Sequence, residues 1–350
     1  MASSLSGESY TAGETYNIAD NDLRINSPDQ LGSHYWQARY LRFYRVRNSA
    51  VGRLLAKHSN VVRVEFHDCT LPIDTIISDG RDEAVLPSAR EVVLVDTLIG
   101  DRVFQEMFLN LPALRTVIYY RPGNEPTHID LVGQVMVRFG WKLEHLVMRN
   151  ESLYPFEQSI GSLVRLHKLK TLEIDLEFLV GFRDIPARDF DEYMDSPFVN
   201  DEEEQDFDEI HESFGDWALV NLLPTSLEKL TLHIDYPKLS VYFNTYERYG
   251  AKFEQLLRAE ACFRKLEFIE APDIAGVLNT LDRSIADNWI PEGTSVIRRI
   301  PFANLSLDDP FTDTDAGPSG QLPNGVPSTT TSSASSACPE QTMEDAVEEA

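Results

Sequence analysis

Cysteine is scarce in this 350-residue chain: Cys69, Cys262 and Cys338 are odd in number, far apart and without CxxC spacing. Such usage offers no disulfide framework and fits a reducing compartment. No apolar run approaches the roughly 18–20 residues that a membrane span requires. The opening Met1-Ala2-Ser3-Ser4-Leu5-Ser6-Gly7-Glu8 lacks a basic region followed by an apolar run, so it does not read as a secretory signal. These absences point to a protein of the cytosol or nucleus, away from membranes.

Chemistry-bearing motifs are missing as well. Gly-x-x-x-x-Gly-Lys, Gly-x-Gly-x-x-Gly, His-Glu-x-x-His and Gly-x-Ser-x-Gly do not occur, so phosphate cradles, the paired-histidine zinc helix and the serine elbow lack their spacing. His67-Asp68-Cys69 brings imidazole and thiol close in sequence, but residue 69 lies where the chain turns inward after a strand, which makes Cys69 a buried structural residue. Asp208, Glu209, His211 and Glu212 form a hard-cation donor set on a polar stretch with no rigid shell to fix it. No catalytic residue, cofactor or metal is therefore expected, and the chain reads as a non-enzyme.

Basic residues are few, 31 against 57 acids, for a net charge of −26. The excess is local. Residues 1–30 have five acids and one base, 183–212 thirteen and two, and 303–350 nine and none, leaving only −2 for the rest. Unpaired like charges resist compaction, so these three segments read as disordered ends and an insert. The opposite bias holds over 31–64, where Arg39, Arg42, Arg45, Arg47, Arg53, Lys57 and Arg63 meet no acid.

What is present is a recurring phrase, apolar-x-x-apolar-x-apolar. Its copies are Val61-Val64-Phe66, Ala89-Val92-Leu94, Leu114-Val117-Tyr119, Leu143-Leu146-Met148, Leu169-Leu172-Ile174, Leu227-Leu230-Leu232 and Leu266-Ile269-Ala271. The steps are 28, 25, 29, 26, 58 and 39 residues, and four successive steps near 27 match the leucine-rich class of repeat. Stretches of helical period precede several copies, as in Val103, Phe104, Met107, Phe108 and Leu111, or Ile129, Val132, Val135, Met136 and Phe139. Strand and helix alternating at so short a period imply parallel strands, with each helix crossing back over the outside. The expected class is α/β, a leucine-rich-repeat solenoid with a curved parallel sheet and outer helices.

The phrase residues point into the core, so those between them share the opposite, concave face. That face carries both charge signs and some apolar groups, which suits a protein ligand. Its candidate contacts are Ile118, Tyr120, His145, Arg149, Thr171, Glu173, Asp175, Lys229 and His233.

Asn110-Leu111-Pro112-Ala113-Leu114-Arg115-Thr116-Val117 and Leu223-Pro224-Thr225-Ser226-Leu227-Glu228-Lys229-Leu230 resemble the Leu-Pro-led strands of irregular leucine-rich-repeat proteins. Many of those are F-box proteins of fungi. The resemblance covers about residues 59–182 and 213–272. It implies an interaction scaffold; where an F-box is present, a Skp-type adaptor of a cullin ubiquitin ligase docks on it while the repeats select substrate. Here no Leu-Pro-x-Glu-type start opens the chain, and residues 1–60 hold no three-helix apolar pattern. The family's asparagine ladder is also absent, the ninth phrase position reading Cys69, Pro122, Glu151, Glu177 and Asp235.

The organisation expected is a disordered N-terminus over 1–30, a basic aromatic capping helix over 31–58, and leucine-rich repeats over 59–182. An acidic insert over 183–212 follows, then repeats and a C-terminal cap over 213–302, and a disordered acidic Ser/Thr-rich tail over 303–350. The leading functional expectation is a module that binds a protein partner on its concave strands, a partner of basic character where it meets the acidic insert. The alternatives are the substrate-recognition subunit of a cullin-type ligase and, in another class, nucleic-acid binding through the Arg39–Arg63 stretch, which the acidic chain disfavours.

Overall fold

Alternating apolar residues, bounded by turns, form a parallel sheet in the computed structural model, which describes residues 15–19, 38–47, 60–71, 86–99, 101–121, 129–150, 159–180, 218–234 and 246–300. The strands are β1 (Thr15–Ala19), β2 (Tyr40–Tyr44), β3 (Arg63–His67), β4 (Thr70–Leu71), β5 (Glu91–Val95), β6 (Leu98–Ile99) and β7 (Thr116–Arg121). They continue as β8 (His145–Asn150), β9 (Thr171–Asp175), β10 (Lys229–His233), β11 (Phe268–Glu270), β12 (Trp289–Pro291) and β13 (Val296–Arg299). Among the described residues one eleven-stranded sheet runs β1-β2-β3-β5-β7-β8-β9-β10-β11-β13-β12, and β4 pairs with β6 apart from it. From β1 to β11 every pairing is parallel and follows chain order. The fold is thus α/β with a large, mostly parallel sheet.

All the phrase residues identified in the sequence are buried, none more than 3 % exposed. Phe66 stacks on Phe43 of the neighbouring strand at 5.1 Å, and Tyr119 meets Phe104 edge-on at 5.7 Å. Helices α1 (Asp101–Asn110), α2 (Ile129–Phe139), α3 (Leu176–Val180), α4 (Leu219–Leu222), α5 (Tyr246–Arg258), α6 (Ile274–Thr280) and α7 (Arg283–Ala286) supply the other apolar layer. Val103, Phe104 and Met107 of α1 and Ile129, Val132 and Met136 of α2 join the core. A Cβ on Gly133 would lie 1.8 Å from the carbonyl oxygen of Ile160, so α2 packs on bare backbone there and only glycine fits.

The ends of β2, β3 and β5 repeat too, with a related residue after β11. Arg45, Asp68, Asp96 and Asp273 adopt left-handed backbone, with φ of 53°, 50°, 47° and 47°, each seven residues after a first phrase position. The first three donate their amides to the next strand: Arg45 to His67 at 2.9 Å, Asp68 to Val95 at 2.9 Å and Asp96 to Tyr120 at 3.1 Å. The following residue turns inward. Cys69 Sγ lies 3.2 Å from the carbonyl oxygen of His67 and 3.6 Å from that of Phe43. Thr97 Oγ1 lies 2.9 Å from the carbonyl oxygens of Phe66 and Val95. Small polar side chains at the ninth position therefore join strands where an asparagine ladder is lacking. Burial pushes the Cys69 thiol up in pKa and keeps it protonated as that donor.

Two expectations are corrected. Residues 40–44, assigned to a capping helix, are strand β2, and Ala38-Leu41-Phe43 is an eighth copy of the phrase, each residue fully buried. The helical spacing of Tyr40, Phe43 and Tyr44 competes with that phrase, and pairing with β3 decides the outcome. Residues 15–19, placed in a disordered N-terminus, form the edge strand β1, whose register sets Tyr16 and Ile18 beside Leu41 and Phe43. At the other end the cap contains a hairpin: β13 runs antiparallel to β11 and to β12. Arg299 holds it in place, donating to the carbonyl oxygens of Phe263 and Arg264 at 3.1 Å each and pairing with Glu260.

β9 and β10 pair residue for residue from Thr171↔Lys229 to Asp175↔His233, so the 58-residue step between their phrases separates sheet neighbours. The insert at 183–212 and the tail at 303–350 lie outside the described residues. The chain divides into compact units at Met1–Arg299 and Ile300–Ala350.

Candidate functional site

Parallel pairing in one register stacks equivalent residues into rows on the sheet face opposite the core. The first row is Arg63, Glu91, Thr116, His145, Thr171 and Lys229; the second is Glu65, Val93, Ile118, Val147, Glu173 and Thr231. The third contains His67, Val95, Tyr120 and Arg149, then Asp175 beside His233. All nine candidate contact residues share this face. Eight are partly exposed; Asp175 is buried, accepts the Asn150 amide and lies 3.2 Å from Arg149 Nε. Its role is to hold strands together. Glu65, Val93, Val147 and Thr231 are also buried, so the middle row is partly closed and is open at Ile118 and Glu173.

Charge on this face is matched locally. Around β3, Glu65 accepts hydrogen bonds from Arg42, from Arg63 Nε at 2.7 Å and from the His67 ring at 3.0 Å, while Arg63 also reaches Glu91 at 2.7 Å. Burial alone would raise the Glu65 pKa, but bonds to Arg42 and His67 and the Arg63 charge outweigh it and lower it to about 2. The His67 ring stacks on Tyr44 at 5.1 Å.

A second cluster spans β8 to β10. Arg149 Nη1 is 3.3 Å from Glu173 Oε1 and 2.9 Å from His233 Nε2, which is itself 3.1 Å from Glu173 Oε1. The His233 hydrogen bond lowers the Glu173 pKa, burial opposes it, and the Arg149 charge assists. Between the clusters lie Val93, Val95, Ile118, Tyr120 and Val147. His145 has its pKa lowered by burial, so its ring is neutral at neutral pH.

The arginine-rich stretch expected to offer free cations is largely engaged. Arg42 and Arg63 bind Glu65, and Arg45 Nε is 3.1 Å from Asp68 Oδ2. Arg53 and Lys57 lie outside the described residues, as do Asp208, Glu209, His211 and Glu212. Among the described residues no group of three His, Cys, Asp or Glu has metal-binding geometry, and no helix is long and apolar enough to cross a membrane. One cavity lies inside the core, lined by Val64, Phe66, Leu86, Val92, Leu94, Ile99, Met107 and Leu111. Its wholly apolar wall offers a ligand or water no polar partner. Cys262 is disulfide-bonded, where the scattered cysteines offered no disulfide framework in the sequence.

Exposed groups that sequence reading missed sit in the turns before the strands. Trp141 is 54 % exposed, with Lys142 Nζ 4.7 Å and Lys168 Nζ 5.1 Å from its ring centroid. The signal available was an aromatic one step before a lysine outside any periodic segment. No family model matches the chain, and no curated protein matches it.

Proposed function

We propose that the chain is a non-enzymatic protein-binding scaffold of the leucine-rich-repeat class, which holds a protein partner on the sheet face opposite its helices. The observation that carries this reading is the unbroken register from β3 to β10, which turns residues scattered over 170 positions into adjacent rows. Support for the repeat class comes from the buried phrase and the recurring left-handed residue at strand ends. The partly exposed Ile118 and Tyr120 beside the Arg149–Glu173–His233 cluster make a mixed surface, apolar at its centre and charged at its flank. Such a surface fits a folded protein better than a uniform polyanion. The acidic stretch 183–212 steers partners of basic character toward it.

A photo-reactive side chain placed at Thr116 or at Thr171 should crosslink the same partner, and one on the outward side of α2, at Gln134, should not. Tyr120→Ala with Arg149→Ala should weaken that partner's binding by roughly ten-fold or more. Equal crosslinking from Gln134 and binding indifferent to the double substitution would sink the reading. The narrower role, substrate recognition in a cullin-type ligase of the cytosol or nucleus, rests on the Leu-Pro-led strands. It is tested separately by binding to a Skp-type adaptor, whose failure leaves the scaffold reading intact.

A further inference from the structure

The turns that lead into β5, β7, β8 and β9 are adjacent in space although they are spread over 80 residues of sequence. Backbone bonds prove the adjacency: the Arg115 amide donates to Arg90, that of Glu144 to Arg115, and that of Lys170 to Glu144, each at 2.8 Å. Residues 86–90, 111–115, 138–144 and 161–170 contain seven bases and one acid. The single acid, Glu144, is shared by Arg115 at 3.4 Å and Lys170 at 3.3 Å. Arg90, Arg138, Lys142, Arg165 and Lys168 have no ion pair among the described residues. Strands lie about 4.8 Å apart, so these charges crowd an edge roughly 15 Å wide. Trp141 stands in the middle, its ring flanked by Lys142 and Lys168. In a chain of net charge −26, so much unpaired positive charge in one place calls for an anionic occupant.

We infer that this basic edge is the docking site of the chain's own acidic stretch, residues 183–212. The described chain on either side of that stretch is anchored at the rung that supplies the densest part of the edge. The chain leaves the described region at Val180, at the end of α3, and returns at Ala218. From there α4 is tied to the basic turn itself: Ser162 Oγ donates to the Asn221 carbonyl at 2.7 Å, and the Leu163 amide to Leu222 at 2.8 Å. Arg165 follows two residues later. The 37 residues between the anchors span up to about 120 Å when extended, ample to reach Trp141 and Arg90. Tethering at both ends sets an effective concentration that a separate anion must exceed. Thirteen acids against two bases complement the edge in sign, and Phe198, Phe207 and Phe214 in or beside the stretch complement Trp141 in kind. The occupied edge leaves the sheet face clear and restrains the acidic stretch until a more basic partner competes for it.

Zero-length carbodiimide coupling of the full chain tests this assignment, using an equal mixture of isotopically labelled and unlabelled protein at low concentration. Links from Lys142 or Lys168 to acids of 183–212 within one molecule are expected, falling roughly five-fold or more near 0.5 M salt. The pair Lys142→Glu with Lys168→Glu should speed proteolytic nicking within 183–212 while the fold persists by circular dichroism. Coupling of these lysines only to residues 303–350, only between molecules, or not at all would overturn the proposal. So would salt-sensitive binding of a single-stranded oligonucleotide that the double substitution abolishes, since it would assign the edge to nucleic acid.

Discussion

The sheet face and the turn edge beside it use the same residue types in opposite ways. On the face, Arg42, Arg63 and Arg149 each meet a carboxylate on a neighbouring strand, and little charge is left over. Along the edge, seven bases accompany one acid, which only Arg115 and Lys170 reach. Paired charges at short range fix geometry and contribute little field at a distance; unpaired charges of one sign contribute field and little geometry. The face is therefore built to recognise shape, and the edge to attract. Net charge hides this division, because −26 describes neither region.

The sharpest break of that contrast is Glu65→Ala on the face. It leaves Arg42 and Arg63 facing each other in a partly buried site without their common acceptor. A loss of about 3 kcal/mol in unfolding free energy is expected, read from urea denaturation. The direction with pH follows from the lowered pKa. A carboxyl lowered from 4.5 to about 2 contributes stability that is complete above pH 4.5 and disappears as pH falls through about 2. The gap between wild type and variant should accordingly close across that window. A gap that persists at pH 2 would show that packing, and not charge, accounts for it.

That much of the face was legible in the sequence, because the phrase fixes which residues point inward and period-2 alternation then assigns the rest. All seven copies became strands, and the nine candidate residues fell on one face. What was missed had competing local signals. Ala38-Leu41-Phe43 obeys the phrase, but Tyr40, Phe43 and Tyr44 also obey a helical period, and only the pairing partner β3 breaks the tie. The buried state of Asp175 depends on a bond to the backbone of Asn150, which no sequence pattern encodes. The basic edge was invisible for a different reason. Its bases arrive one to three per turn, diluted by intervening helices and strands, and only inter-strand register gathers them.

A smaller effect is expected at the second face cluster. Glu173→Gln preserves volume and one acceptor but removes the charge that Arg149 and His233 share. Partly exposed pairs are worth less than buried ones, so about 1 kcal/mol should be lost. The lowered pKa of Glu173 places this contribution above its unfolded-state pKa, to be lost on acidification. If Glu173→Gln instead cost as much as Glu65→Ala, the difference in burial between the two carboxylates, with side chains 18 % and 8 % exposed, would not set the worth of their pairs.

The smallest stability effect belongs to the edge, and its smallness is informative. Lys142 and Lys168 have no carboxylate partner among the described residues, so within that part reversing both removes two ring contacts on Trp141 and the bond from Lys142 Nζ to the Pro112 carbonyl at 3.0 Å. Thermal unfolding should change by no more than about 0.5–1 kcal/mol. It should become less sensitive to salt if relief of mutual repulsion offsets those losses. A region that tolerates charge reversal with so little loss of stability is not there to hold the fold. A loss comparable to that of Glu65→Ala would mean that the edge carries structural pairs after all, and the contrast between face and edge would collapse.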